Sequence, residues 1–489
     1  MKKILNITLV AFALMTIAGS AFGQSVIHIA GSTAFRPSAT AAIMDIFTPG
    51  TVFCAYDSSS TTYKAGSAIF YGTLASNGHN VYVKTFWTGS MAGTYDLANQ
   101  TQITKWIATP AAPPPGGGVI PGTAAVMTAC SHDATGGPPN TGTNLHGLAY
   151  TNETAAPDCA FSDADQASVA PSIKTAAGGA AFAATITGNP LNDAGTLTPG
   201  TVGIVSFVWT AGHQVAALPY TNMTQQAAAA LVSTGAIPYG QLAGNGDMAD
   251  YVFIVSRNED SGTRIDANAE AQTGFGKGVG TYTFNFSGST TSYVDNGTTI
   301  QTGGAATATV TGGFSWLPNW PLNTVPSCHW SATGHSGYLG GGDVANVLKS
   351  TGDNASTFTT GAPAAFVNGT SHAALVGSLG TADQGNSVGT RLTYNGVPFS
   401  VANIQNGTYT DWAFEHEYVR STAPILNTDQ AAMCSNLADK IFVTDAPTNG
   451  NGKTDNSGAT VDVAGTLYDS LCKFAKNAAE GSYEIPNGN

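Results

Sequence analysis

"DYVFIVSRNEDSGTR", residues 250–264, runs from an apolar stretch into a turn that carries two arginines and a Ser-Gly-Thr. The β-branched and aromatic "DYVFIV" suits a buried strand, and "IDANAEAQ" just beyond has a helical composition. Arg257 and Arg264 flank this turn in a chain of 489 residues with only 17 Lys and Arg against 30 Asp and Glu. Donors gathered at a strand end suit a small anion. Gly lets the backbone approach closely, Ser and Thr add hydroxyls, and Arg offers a planar fork matched to oxyanion oxygens. The N-terminus of the following helix adds unpaired N–H groups and about half a positive charge.

Three other junctions repeat this plan of strand, small or hydroxyl residues, then helix: "GST" at 31–33, "TGS" at 88–90 and "FSD" at 161–163. After "SVIHIA", the residues Phe35, Ala39, Ala42, Ile43 and Ile46 share one helical face, with Ser32 or Thr33 as N-cap and Pro37 in the first turn. "NVYVKTFW" precedes the second junction, and "CAFSDAD" is a short strand ending in Ser162 and Asp163. "GTVGIVSFVWTA" at 200–211 predicts a buried strand, "MTQQAAAALVSTG" a helix, and "YLGGGDVANVLKS" a Gly-rich turn opening another helix. "AALVGSLGTAD" is a further buried strand, a candidate for the return crossing between domains. Strands alternating with helices predict α/β layers with parallel sheets. Residues 108–158, with "TPAAPPPGGGVIPG", read as mostly loop, and 277–315 as hairpins turning at Asn-Gly and Gly-Gly.

The N-terminus reads as a secretory leader: Lys2 and Lys3, an apolar run, and "AFG" before a cleavage site near Gly23-Gln24. The expected mature chain is periplasmic or extracellular. Loss of the two lysines takes the formal charge from −13 to −15, which disfavours nucleic acid and anionic membranes as partners. Six cysteines in an exported chain suggest disulfides, with Cys130–Cys159 and Cys434–Cys472 the pairings nearest in sequence. None has zinc-type spacing, so no metal is expected there.

Taken in order, the four junctions resemble the periplasmic phosphate-binding proteins of ABC transporters, over most of the mature chain. "HIAGSTAFRP" is similar to that family's Gly-x-x-Thr-Phe-x-x-Pro segment with one residue inserted near Ala34. "TGSMAG" resembles its Ser-Gly-Gly-rich turn, "FSDAD" its Ser-Asp turn, and "RNEDSGT" its Arg-x-x-x-Ser-Gly-Thr with full spacing. "GVPFSVANIQNGTYTDWAFEHEYVR" resembles its late segment. The resemblance implies an α/β, two-lobed periplasmic-binding-protein fold of type 2, with inserted β-hairpins and Gly/Pro-rich loops. Lobe 1 would comprise 24–210 and 380–489, with an insertion at 108–158. Lobe 2 would comprise 211–379, with a β-rich insertion at 277–335. Ser32 or Thr33, Ser90 and Asp163 would face phosphate from lobe 1. Arg257, Ser261, Gly262 and Thr263 would face it from lobe 2. "CSHDATGG" at 130–137 competes with Asp163 for its turn. Arg264 is expected just inside the helix, paired with a surface carboxylate. The resemblance further implies a monomer without cofactor or catalysis, delivering its anion to an ABC-type permease.

Two other classes compete. For a secreted phosphoester hydrolase, "GNSVG" at 385–389 matches a nucleophile elbow, but "TRLTYNGV" after it reads as strand where the elbow requires a helix. The abundance of Gly, Thr, Ser and Asn suggests a surface or adhesive protein, yet that composition suits the hairpins better than the apolar units beside them. "DAPTNGNGKTDNSG" at 445–458 offers oxygen ligands for Ca²⁺ but lacks the Glu that closes an EF-hand loop, so it is read as a solvated turn.

Overall fold

The computed structural model describes residues 24–58, 62–100, 102–131, 142–165, 197–212, 219–258, 261–274, 282–287, 290–295, 298–304, 309–316, 337–349, 358–360, 365–367, 370–384, 387, 389–420, 426–439, 475–476 and 483–484. The leader, Cys328, Cys472, most of 130–137 and the turn at 445–458 lie outside them.

Strand β1 (Ser25–Gly31) leads into helix α1 (Arg36–Asp45). Its predicted apolar face is buried in full: Phe35, Ala39, Ala42, Ile43 and Ile46. The cap differs from expectation. The helix starts at Arg36, and Ser32 Oγ accepts the Phe35 N–H at 3.2 Å, holding the turn that precedes the helix. Strands β2 (Phe53–Asp57), β3 (Ser67–Thr73) and β4 (Asn80–Phe86) follow, then α2 (Ser90–Asn99). Next come the two-residue β5 (Thr128–Ala129), β6 (Cys159–Ser162) and the long β7 (Leu197–Ala211). Thr224 caps α3 (Gln225–Thr234) by accepting from Ala227 N at 3.2 Å, and Gly235 ends it at φ +80°. Then follow β8 (Ala236–Pro238), β9 (Tyr251–Ile254) and α4 (Gly262–Glu270). The later elements are β10 (Tyr282–Ser287), β11 (Thr290–Asp295), β12 (Thr298–Gly304), β13 (Thr309–Trp316), α5 (Gly341–Lys349), β14 (Ala373–Gly380), β15 (Trp412–Arg420) and α6 (Thr428–Asp439).

The fold is mixed α/β around one large sheet of thirteen strands, whose main path runs β8-β9-β14-β7-β15-β6-β1-β4-β3-β2-β5. The expectation of parallel sheets holds only locally. β6, β1 and β4 are parallel, as are β9 and β14, and the other neighbours on this path are antiparallel. The reason is connection length: β3 and β4 are joined by a tight turn, which permits only antiparallel pairing, whereas each parallel pair is bridged by a crossover.

β7 ties the sheet together. Its first part, up to Ser206, pairs with β15, and from Phe207 to Ala211 it pairs with β14. β14 therefore stays in one half of the sheet, and β15 is the strand that runs back beside β7. The strand directions alternate so that β9 and β14 run opposite to β1, β4 and β6. Ser162, at the end of β6, lies level with His416 and so with Thr201 of β7, while Gly380, at the end of β14, lies level with Phe207. The carboxyl ends of the two parallel sets thus face each other across about 20 Å of β7.

A core lies on each side of this gap. One joins Ile27, Ile29, Ile43, Val83 and Phe161 to Met433 and Leu437 of α6. The other joins Val208, Trp209, Leu231, Ile254 and Val376 to Leu392, Tyr394, Ile404 and Tyr409. Residues 108–131 and 142–158 are largely irregular, as expected, yet Ile120, Met127 and Leu145 pack with Ile69 and Tyr82 as a satellite core. In the 277–315 region β11 and β12 pair as a hairpin nested between β10 and β13, which pair with each other. Among the described residues no helix is long and apolar enough to cross a membrane.

Candidate functional site

The turns after β1, β4, β6 and β9 meet in the gap. Gly31 adopts φ +123°, and a Cβ there would fall 2.0 Å from Phe161 O, so only glycine lets β1 turn this close to β6. Gly93 of α2 packs on the same spot, where a Cβ would fall 2.5 Å from Gly31 Cα. These two glycines bring the start of α2 and the turn at 31–33 together over Asp163.

Asp163 is 1% exposed. Its Oδ1 accepts from Ser90 Oγ, and its Oδ2 lies 3.4 Å from Ser32 Oγ. Burial raises its pKa, and hydrogen bonds from the serines together with the Arg257 charge partly oppose that rise. The neighbouring Ser162 hydroxyl turns away, donating to Ala164 O at 2.7 Å.

From the other side, Gly262 at the first turn of α4 abuts the same carboxylate: a Cβ there would fall 1.4 Å from Asp163 Oδ1 and 2.7 Å from Ser90 Oγ. Ser261 occupies the N-cap position but makes no side-chain cap bond, and Ser261 and Thr263 are both buried. The Arg257 guanidinium, 2% exposed, is fixed at three points. Nε donates to Tyr338 O at 3.2 Å, Nη2 to Leu339 O at 2.9 Å, and Nη1 to Thr33 Oγ1 at 3.1 Å. The last bond joins the turn after β9 to the turn after β1.

Six of the eight expected residues are joined by contacts: Ser32, Thr33, Ser90 and Asp163 from one side, Arg257 and Gly262 from the other, while Ser261 and Thr263 flank Gly262 and are buried. The uncertainty between Ser32 and Thr33 resolves into two contacts, Ser32 on Asp163 and Thr33 on Arg257. Arg264 departs from expectation. It is 3% exposed, and its Nη1 donates to Arg257 O at 3.1 Å, so it braces the turn from within. A helix position two residues inside the N-terminus faces the core here because α4 is buried on every side.

Sequence reasoning missed a second ring. Arg36, at the start of α1, lies 3.9 Å from Asp383 across the gap. Asp343 at the start of α5 is pushed up to about 6 by burial, against the pull of Arg257. The Asn258 side chain is fully buried, with no hydrogen-bond partner for its amide among the described residues. Arg36 and Asn258 each adjoin a recognised turn and Asp343 lies in the Gly-rich turn that opens α5, which are the signals that could have found them; Asp383 carries no such signal. Arg36, Asp343 and Asp383 also line a cavity of about 690 Å³ that includes Lys64, Lys105 and Lys349. That cavity lies beside the donor cluster and not in it, because the cluster is closed on itself by the contacts of Asp163 with Ser90 and Gly262.

Ser387 of "GNSVG" is buried in a turn, its Oγ donating to Gln384 O at 2.7 Å and accepting from Gly389 N at 3.1 Å. These backbone bonds occupy the hydroxyl, and no histidine partners it in them. His416 packs between the rings of Phe414 and Tyr418, and burial lowers its pKa.

No family model matches the chain, and no curated protein matches it. Among solved structures it is similar to a protein of Clostridium perfringens assigned as a phosphate ABC transporter substrate-binding protein, solved with bound phosphate. There the identity is 10% and the TM-score 0.38, covering 85% of this chain and 96% of that one. It is also similar to a phosphate-binding protein from Stenotrophomonas maltophilia, at 12% identity and a TM-score of 0.37, covering 86% and 84%. PstS from Borrelia burgdorferi matches at 10% identity and a TM-score of 0.30, covering 87% and 96%. At these scores the likeness carries no inference about what this chain binds.

Proposed function

We propose that this chain is an exported, non-catalytic binding protein that closes two lobes on a tetrahedral oxyanion, most simply phosphate. The observation that carries the reading is the bond from Arg257 to Thr33 beside the buried Asp163. A guanidinium from one side and two serine hydroxyls from the other converge on one point, so an anion seated there would receive donors from both. Each charge-assisted hydrogen bond contributes roughly 1.5–3 kcal/mol, and several suffice for micromolar binding after the costs of association. Asp163 supplies selectivity: a carboxylate accepts a hydrogen bond from protonated phosphate or arsenate and repels sulfate, which has no proton to offer.

The lobes divide along β7. In this reading the later lobe boundary lies near Asp411 in place of residue 380, which the packing of Leu392, Tyr394, Ile404 and Tyr409 with the second core supports. Export through the leader and delivery to an ABC-type permease belong to the same reading. The hydrolase reading loses its nucleophile, because Ser387 is held by backbone bonds.

Titration calorimetry with phosphate, arsenate and sulfate tests the proposal. Heat from phosphate and arsenate with none from sulfate is the expected result. Equal heats for phosphate and sulfate would remove the role given to Asp163, and silence with all three would overturn the reading.

A further inference from the structure

The four described cysteines fall into two adjacent pairs, and neither pair is one that sequence proximity suggests. Cys54 sits on β2, opposite Thr128 of β5, and Cys130 N donates to Val52 O at 3.0 Å, two residues back along β2. Cys54 and Cys130 are thus diagonal neighbours across an antiparallel pair, on the same face and buried in the same core. Cys159 opens β6, and Cys434 lies on α6 packed beneath it. Both are buried, and their Sγ atoms lie within 4.8 Å of each other.

The expected Cys130–Cys159 pairing fails on distance. From β6 to β5, which Cys130 directly follows, the sheet steps through β1, β4, β3 and β2. Those five spacings amount to about 24 Å, and a disulfide spans Cα atoms no more than about 7 Å apart. Cys434 faces Cys159, which also displaces the expected pairing with Cys472.

We infer that the exported protein carries two disulfides, Cys54–Cys130 and Cys159–Cys434. Each bond forms by thiol–disulfide exchange with a disulfide-bearing oxidoreductase of the exported compartment. One cysteine thiolate attacks the oxidant's disulfide, giving a mixed disulfide and releasing one oxidant thiol. The second cysteine thiolate displaces the other, so the protein's two thiols lose two protons and two electrons and the oxidant leaves as a dithiol. Because all four sulfurs are buried, exchange precedes closure of the sheet, and the finished bonds are shielded from reductants.

The positions give each bond a structural role. Cys54–Cys130 fastens the irregular segment 108–131 to the outer edge of the sheet. Cys159–Cys434 fastens α6 to the strand whose far end carries Asp163, four residues on. The second bond thereby steadies one wall of the donor cluster, whatever anion the cluster binds.

A metal is the competing occupant of the second pair, since a Glu417 carboxylate oxygen lies within the same 4.8 Å group. One account covering both pairs favours oxidation, because the first pair belongs to no such group among the described residues.

The test is peptide mapping of the full chain secreted through its own leader. The protein is denatured in an alkylating agent without reductant, digested and analysed by mass spectrometry, and its zinc content is measured in parallel. The expected result is two linked peptide pairs, Cys54 with Cys130 and Cys159 with Cys434, which separate on reduction. Alkylation of all four cysteines, a link of any of them to another partner, or stoichiometric zinc with Cys159 and Cys434 alkylated would overturn the inference. The result is independent of calorimetry with phosphate, so either conclusion can fail alone.

Discussion

Gly262 lies so close to Asp163 that a Cβ on it would fall 1.4 Å from Oδ1. The two residues sit on opposite sides of the gap, so this contact sets how tightly the gap can close. Gly262→Ala forces the turns apart without altering any donor. Overpacking of this kind costs about 1–3 kcal/mol, which converts to phosphate binding about ten- to a hundredfold weaker by calorimetry. An unchanged circular dichroism spectrum would separate this from misfolding, and wild-type affinity in the variant would show that the gap closes elsewhere.

Arg257 is held by two backbone carbonyls, which leaves Nη1 for the hydroxyl across the gap. Arg257→Lys keeps the charge but cannot satisfy Tyr338 O and Leu339 O while also reaching over. It is expected to lose about 2 kcal/mol or more of anion binding, and Arg257→Ala at least as much. Salt titration of the residual binding supplies the check. Arg257→Lys binding as tightly as the parent would count against a fork-specific role.

Asp163→Asn exchanges an acceptor-only group for an amide that can also donate. Phosphate affinity is expected to fall about ten- to a hundredfold, the worth of one charge-assisted hydrogen bond, while sulfate binding rises. Competition between the two anions on the variant reads this directly. A sulfate affinity that stays at the wild-type level would mean that selectivity lies outside Asp163.

A different cluster, around Glu153, is expected to contribute to acid stability. Burial pushes Glu153 up, but hydrogen bonds from His28 and Lys84 outweigh it and hold the carboxyl down at about 2. A depressed carboxylate stabilises the fold fully above its ordinary pKa of about 4.3, and that stability is lost as pH falls toward 2. Urea unfolding between pH 5 and pH 2 should therefore show a falling midpoint, with a shallower fall in Glu153→Gln. At neutral pH the variant should lose about 3 kcal/mol or more, because the buried Lys84 ammonium loses its carboxylate. Identical pH slopes in the two proteins would remove Glu153 from this role.

Much of the site was legible because its parts are local. A strand, a glycine and a hydroxyl before a helix mark a turn that presents donors, and this pattern found Ser32, Thr33, Ser90, Asp163 and the 257–263 segment. Residues recruited from other parts of the chain leave no such mark. Asp383 belongs to the second ring only because the end of β14 folds back against Arg36. Arg264 departs from the surface position expected of it because α4 is buried on every side, which no local charge pattern shows.

Strand and helix order, the α/β character and the donor-rich composition of the turns were set by the sequence alone, through side-chain periodicity and backbone preference, which act over a few residues. Which strands run parallel, where β7 hands over from β15 to β14, and which cysteine faces which were decided by tertiary structure. Those features depend on contacts between segments hundreds of residues apart, such as Cys159 with Cys434, and their energies are settled only once both cores are packed.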